Sequence, residues 1–221
     1  MIKNVIFDLD GTLLDTTEGV LESVKYSAKE LGYSGLTDEE LRTFIGPPVQ
    51  LSFKKYYGCD DKRAQIAADL FRKYYKDAAL LKAKPYNGIY ELCEALKSQN
   101  IKMAVATYKR EDYALALLCH FGFDRYCVSM HGADNNNILK KEDIVELCRK
   151  ELGALKEECV LVGDTEHDAV GASKAGIPFL AVTYGFGFKT DRDVQSFPNI
   201  GVAGSPVEIA DFLLNRIMNY H

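Results

Sequence analysis

Four short apolar runs, Val5 to Phe7, Met103 to Ala106, Val160 to Val162 and Phe179 to Val182, are each followed at once by small or polar residues. No polar residue interrupts them, so both faces of each would be buried, as in the strands of a parallel sheet. They end at Asp8, at Thr107, at Gly163-Asp164 and at Thr183. Between them apolar residues recur at helical spacing: Ile89, Leu92, Cys93 and Leu96, then Ala114, Leu117, Leu118 and Phe121, then Ile144, Val145, Cys148 and Leu152. This alternation over residues 85 to 190 predicts an α/β fold, a Rossmann-like parallel-sheet core with helices on both faces.

Residues 16 to 82 follow a different pattern, with no strand signal. Val20, Val24, Ser27, Ala28 and Leu31 form one amphipathic stripe that stops at Gly32, and Thr37-Asp38-Glu39-Glu40 has the form of an N-cap followed by acidic first-turn residues. A third helix is expected after Pro47-Pro48 and a fourth from about Asp60 to Asp77. The expected organisation is a core domain of residues 1–15 and 83–221, interrupted by an all-helical cap domain of residues 16–82. The hinges are expected at Asp15 to Thr17 and at Lys82 to Pro85.

A chain of 221 residues is long enough to bury a core and carry such an insertion. A formal net charge of -5 supplies no basic stripe to neutralise a phosphate backbone, which argues against a nucleic-acid partner. No run approaches the roughly 18 apolar residues that span a bilayer, and Met1-Ile2-Lys3-Asn4 does not open a signal peptide, so no membrane partner and a cytoplasmic location are expected. Cys59, Cys93, Cys119, Cys127, Cys148 and Cys159 are scattered singly, without a Cys-x-x-Cys pair. Five of them fall in apolar-periodic segments and read as reduced, core-filling thiols. The sequence does not specify an oligomeric state.

Ligands of open parallel sheets bind beyond the carboxyl ends of the strands, which gathers Asp8, Asp10, Thr107 and Asp164 at one edge. Asp8 and Asp10 are two residues apart, so on an extended strand end they point the same way. Two such carboxylates repel unless a cation lies between them. A hard divalent ion resolves the repulsion, and Mg²⁺ takes only one or two carboxylates, leaving room for water and a phosphate. Asp164 is the natural further ligand, with Gly11 and Gly163 allowing close backbone approach.

At these positions the chain resembles the haloacid dehalogenase superfamily of phosphohydrolases. The resemblance rests on Asp8-Leu9-Asp10-Gly11-Thr12-Leu13, on Thr107 at a strand end, on Lys141 ahead of a helix and on Gly163-Asp164-Thr165-Glu166-His167-Asp168. It implies that Asp8 is the nucleophile and Asp10 the general acid and base. It also implies that Thr107, the N–H groups of Tyr108 and Lys109, and Lys141 hold the phosphate. Mg²⁺ would lie on Asp8, Asp10 (through its backbone carbonyl) and Asp164, with Asp168 supporting from behind. Lys141 fits the family spacing better than Lys140, and His167 reads as an exposed residue at a helix start. Tyr108 departs from the small residue usual after the threonine.

The inserted helices, with Phe44-Ile45-Gly46-Pro47-Pro48 and Tyr86-Asn87-Gly88, resemble the subgroup of phosphoglycolate phosphatases and related 5′-nucleotidases. The implied partner is a small-molecule phosphate ester, with 2-phosphoglycolate and a nucleoside 5′-monophosphate as candidates. A phosphomutase of the β-phosphoglucomutase type shares the motifs. A phosphoacceptor or binding module is disfavoured by Asp10, which would promote turnover. Tyr26, Tyr56, Tyr57, Tyr74 and Tyr75 read as packing between helices.

Overall fold

A computed structural model describes residues 1–45, 49–134 and 138–218. The bend expected at Gly46-Pro47-Pro48 lies outside the described residues. In chain order the elements are β1 (Asn4–Phe7), β2 (Leu14–Asp15), α1 (Thr17–Glu30), α2 (Asp38–Arg42), α3 (Val49–Tyr57), α4 (Asp61–Tyr74) and β3 (Lys84–Pro85). They continue with α5 (Ile89–Ser98), β4 (Lys102–Arg110), α6 (Glu111–His120), β5 (Cys127–Ala133), α7 (Lys141–Leu152), β6 (Cys159–Gly163) and α8 (Glu166–Ala175). The chain then forms β7 (Phe179–Val182), α9 (Asp191–Val194), β8 (Gly201–Ala203) and α10 (Pro206–Met218).

Six strands make one sheet in the order β5-β4-β1-β6-β7-β8, parallel throughout, and β2 pairs with β3 in a separate two-stranded sheet. The four apolar runs are its β4, β1, β6 and β7, fully buried except at the two ends of β4. β5 and β8 have no counterpart in the sequence reading. They are the two edges, and their mixed burial breaks the continuous apolar signal that marks a central strand. Ile6, Ala104, Leu161, Ala181 and Phe179 pack with Ile144, Val145 and Cys148 of α7 and with Ala169 and Ala172 of α8 in one core cluster of the sheet.

The described residues divide into two compact units, residues 1–15 with 85–221, and residues 16–84. In the second unit Thr37 caps α2 in a reciprocal box with Glu40, and Asp60 caps α4 by accepting from the Arg63 N–H. A turn of π-helix, Tyr75–Ala79, follows α4. Val24, Phe44, Phe53 and Ala67 form the core of this unit, with Phe44 edge-on to Phe53 and Tyr33 stacked on Tyr57. Tyr26 stacks on Tyr74 and Tyr75 is buried, as aromatic packing between helices requires.

Among the cysteines, Cys93, Cys148 and Cys159 are buried and Cys59 and Cys127 half-buried, whereas Cys119 is exposed. The apolar periodicity of α6 is carried by Ala114, Leu117 and Leu118, which face the sheet and turn Cys119 outward. No described helix is long and apolar enough to cross a membrane.

Candidate active site

Strands β4, β1 and β6 are neighbours, and the register sets Phe7 beside Val105 on one side and Val162 on the other. The residues following these rungs therefore emerge together at the carboxyl edge of the sheet. Asp8 continues the ladder by one bond, its N–H donating to the Val162 carbonyl at 2.9 Å. Asp164 follows β6 directly. Thr107 lies where β4 loses register with β5, between Ala106 and Arg110.

Lys141, the first residue of α7, is buried to 1% exposure, while its neighbour Lys140 is exposed. Its ammonium lies 2.6 Å from Asp8 Oδ1 and 2.6 Å from Asp168 Oδ1. Asp168 is in the first turn of α8, where its Oδ2 also accepts from the N–H and hydroxyl of Thr165. The lysine stem reaches these partners by passing over Gly171, where a Cβ would come within 2.5 Å of Lys141 Cγ.

Asp164 is held by the segment after β7. Its Oδ2 accepts from the N–H groups of Phe186 and Gly187 at 2.6 and 3.0 Å. Sequence reasoning stopped at Thr183 and missed these donors; the Gly185-Phe186-Gly187 pattern right after an apolar run is the signal that marks them. Asp164 Oδ1 is buried and has no hydrogen-bond partner among the described residues. Gly11, at φ +88°, turns the chain tightly against this carboxylate, and a Cβ there would collide with it.

Oxygens of Asp8, Asp164 and Asp168 all lie within 4.8 Å of one another. Burial pushes the Asp8 carboxyl up to about 8; Lys141 opposes the shift, while Asp168 and Asp164 add to it. Burial, with Asp168, raises Asp164 to about 6 against the pull of the Gly187 and Phe186 N–H groups. Burial alone would lower the pKa of Lys141, but Asp168 and Asp8 together raise it. One buried ammonium cannot neutralise three carboxylates. An oxygen-lined, electron-rich site with an unpartnered carboxylate oxygen fits a hard divalent cation such as Mg²⁺.

The side chain of Asp10 lies outside this trio. Both its oxygens accept from Lys109 Nζ at 3.1 Å, and it is about a quarter exposed. Thr107 is buried, with its Oγ1 accepting from the Lys109 N–H at 3.2 Å, a local turn that brings Lys109 round to Asp10. Tyr108 is 40% exposed and its hydroxyl accepts from the Lys141 N–H. His167 is exposed beside it. The edge thus presents a paired nucleophile candidate, a partly exposed carboxylate and two lysines, a set suited to an anionic substrate.

A family model described as haloacid dehalogenase-like hydrolase matches residues 5–182. A protein of Pseudomonas aeruginosa named 5′-nucleotidase is 36% identical over 185 residues, covering 83% of this chain and 84% of that protein. A phosphoglycolate phosphatase of Mesorhizobium japonicum is 28% identical over 95% of this chain and 96% of its own length. A crystal structure titled as a predicted phosphatase from Clostridium acetobutylicum superposes with a TM-score of 0.84 at 33% identity, covering 97% of this chain and all of that one.

Proposed function

This chain belongs to the haloacid dehalogenase-like hydrolases, and from that premise we propose that it is a Mg²⁺-dependent phosphatase that hydrolyses a small phosphomonoester through a phosphoaspartate on Asp8. The observation that carries the reading is the pairing of a buried, lysine-bridged Asp8 with a partly exposed Asp10 at the same sheet edge.

In the first step a carboxylate oxygen of Asp8 attacks phosphorus and the bond to the ester oxygen breaks. Asp10 delivers a proton to that oxygen, and the alcohol leaves. In the second step Asp10 takes a proton from water, the resulting hydroxide attacks the phosphoaspartate, and inorganic phosphate departs with Asp8 restored. Lys141, held by Asp168, offsets charge on both Asp8 and the phosphoryl group, while the Thr107 hydroxyl and the N–H groups of Tyr108 and Lys109 hold its oxygens. A phosphate dianion offers Lys109 a second acceptor, which releases Asp10 to carry its proton. Asp8, Asp164 and the Asp10 carbonyl, with Asp168 in support, would hold Mg²⁺, which when bound would neutralise developing negative charge.

The names of the relatives support 2-phosphoglycolate and nucleoside 5′-monophosphates as the first substrates to test. Residues 16–84 are assigned as the cap that selects the leaving alcohol. The test is phosphate release from a phosphomonoester panel with and without Mg²⁺, with products checked for isomerised sugar phosphates. Mg²⁺-dependent phosphate release is expected, and isomer formation without it would replace the hydrolase with a mutase.

A further inference from the structure

The side chain of Tyr108 reaches the site by a route its backbone does not use. The residue lies just past the buried Thr107, where the break in the β4 register turns its side chain outward. Its phenolic oxygen accepts from the backbone N–H of Lys141 at 2.9 Å, across 33 residues of sequence. The preceding N–H groups are satisfied locally: those of Ile138 and Leu139 by Asp134 Oδ1 at 2.8 Å, and that of Lys140 by Asp143 Oδ2 at 2.9 Å. Lys141 opens α7, so its N–H has no intrahelical acceptor. That bond ties the end of the strand carrying Thr107 to the start of the helix carrying Lys141, while Cys148 and Leu152 farther along α7 bond to Val105 and Lys102 of the same strand.

The ring has a second effect. Its centroid lies 6.0 Å from Lys141 Nζ, at the outer limit of a cation–π contact, and the His167 ring meets it edge-on at 5.5 Å. Tyr108 is 40% exposed while Lys141 is 1% exposed, so the phenol stands on the solvent side of the ammonium. We propose that Tyr108 is a positioning residue for Lys141: its hydroxyl latches the start of α7 to the end of β4, and its ring roofs the lysine ammonium against water. The proposal rests on the reading of Lys141 as the group that offsets phosphoryl charge.

Two variants separate the two effects. Tyr108→Phe keeps the roof and removes the latch. Its kcat falls about 5- to 10-fold with KM within about twofold, the scale set by the loss of one net hydrogen bond. Tyr108→Ala removes both, and acetic anhydride labelling of Lys141, mapped by mass spectrometry, rises at least about tenfold. Lys102, whose ammonium donates to the Leu152 carbonyl, is the internal control and keeps its labelling rate.

Wild-type kinetics in Tyr108→Phe together with unchanged Lys141 labelling in Tyr108→Ala overturn the proposal. If both lysines gain label together, Tyr108→Ala has loosened as a whole, and the Tyr108→Phe kinetics decide. Lys141→Ala is the reference for the reading beneath: full activity there removes Lys141 from the mechanism. An inactive Lys141→Ala beside a wild-type Tyr108→Phe removes only Tyr108. Should no ester be turned over, the labelling contrast decides.

Discussion

The ammonium of Lys141 lies 2.6 Å from Oδ1 of Asp8, and both side chains are removed from solvent. The two residues are 133 positions apart, and the lysine bridges on to Asp168 at the same distance. Replacing Lys141 by methionine keeps the stem and leaves the carboxylates without their buried cation. Removing one partner of such a pair costs on the order of 3–5 kcal/mol. The loss should be largest at high pH, because the orphaned carboxyls escape it by binding protons. Urea unfolding without divalent ions at pH 5.5 and pH 8 measures it; an equal loss at both pH values would contradict the bridge.

Asp8 and Asp164 predict how a cation and pH act together. Their folded pKa values, about 8 and about 6, stand above the ordinary aspartate value of 3.8, so between these limits the folded protein binds more protons than the unfolded chain. Stability without metal therefore falls as pH rises from about 4 toward 8. A divalent cation competes with those protons, so the rise in Tm on adding MgCl₂ should be greater at pH 8 than at pH 5.5. Asp8→Asn should abolish turnover, raise metal-free stability at pH 8 and flatten that pH dependence. Differential scanning fluorimetry with a parallel phosphate assay reads all three.

Asp164→Asn is a cleaner probe of the metal than an alanine substitution. The amide oxygen still accepts from the Phe186 and Gly187 N–H groups, so the loop is kept, while the oxygen now without a partner becomes an NH₂ group. The Mg²⁺ concentration for half-maximal activity should rise by more than the roughly 10- to 100-fold cost of losing an outer-shell partner. An unchanged titration would take Asp164 out of the ligand set.

Gly171→Ala tests the path of the lysine stem. The added methyl meets Lys141 Cγ and Cβ, and overpacking of this kind costs typically about 1–3 kcal/mol. Displacement of Lys141 should lower kcat as well as Tm. A variant with normal activity would mean that α8 yields without moving the ammonium.

The sheet centre was legible because buried parallel strands leave uninterrupted apolar runs, as at Val5 to Phe7 and Val160 to Val162. The edges were not: Cys127–Ala133 has one partner strand and a partly solvated face, so its residues alternate without a clear period. Helix starts at Thr37 and Asp60 were legible because capping is a local hydrogen bond between residues three apart. The Phe186 and Gly187 donors were not, since Gly185-Phe186-Gly187 marks a turn after β7 without indicating that its backbone N–H groups meet Asp164.

The sequence by itself determined which side chains stand at strand ends, since a run of apolar residues followed by aspartate or threonine has a local cause in burial. Its motifs also led to the expectation that Asp8, Asp10 and Asp164 gather at one sheet edge. Only the tertiary structure decided that β4, β1 and β6 are adjacent, because strand order depends on contacts more than 90 residues apart that leave no local period. That adjacency sets Lys141 between Asp8 and Asp168, leaves Asp10 with Lys109, and gives the phenol of Tyr108 the start of α7 as its partner.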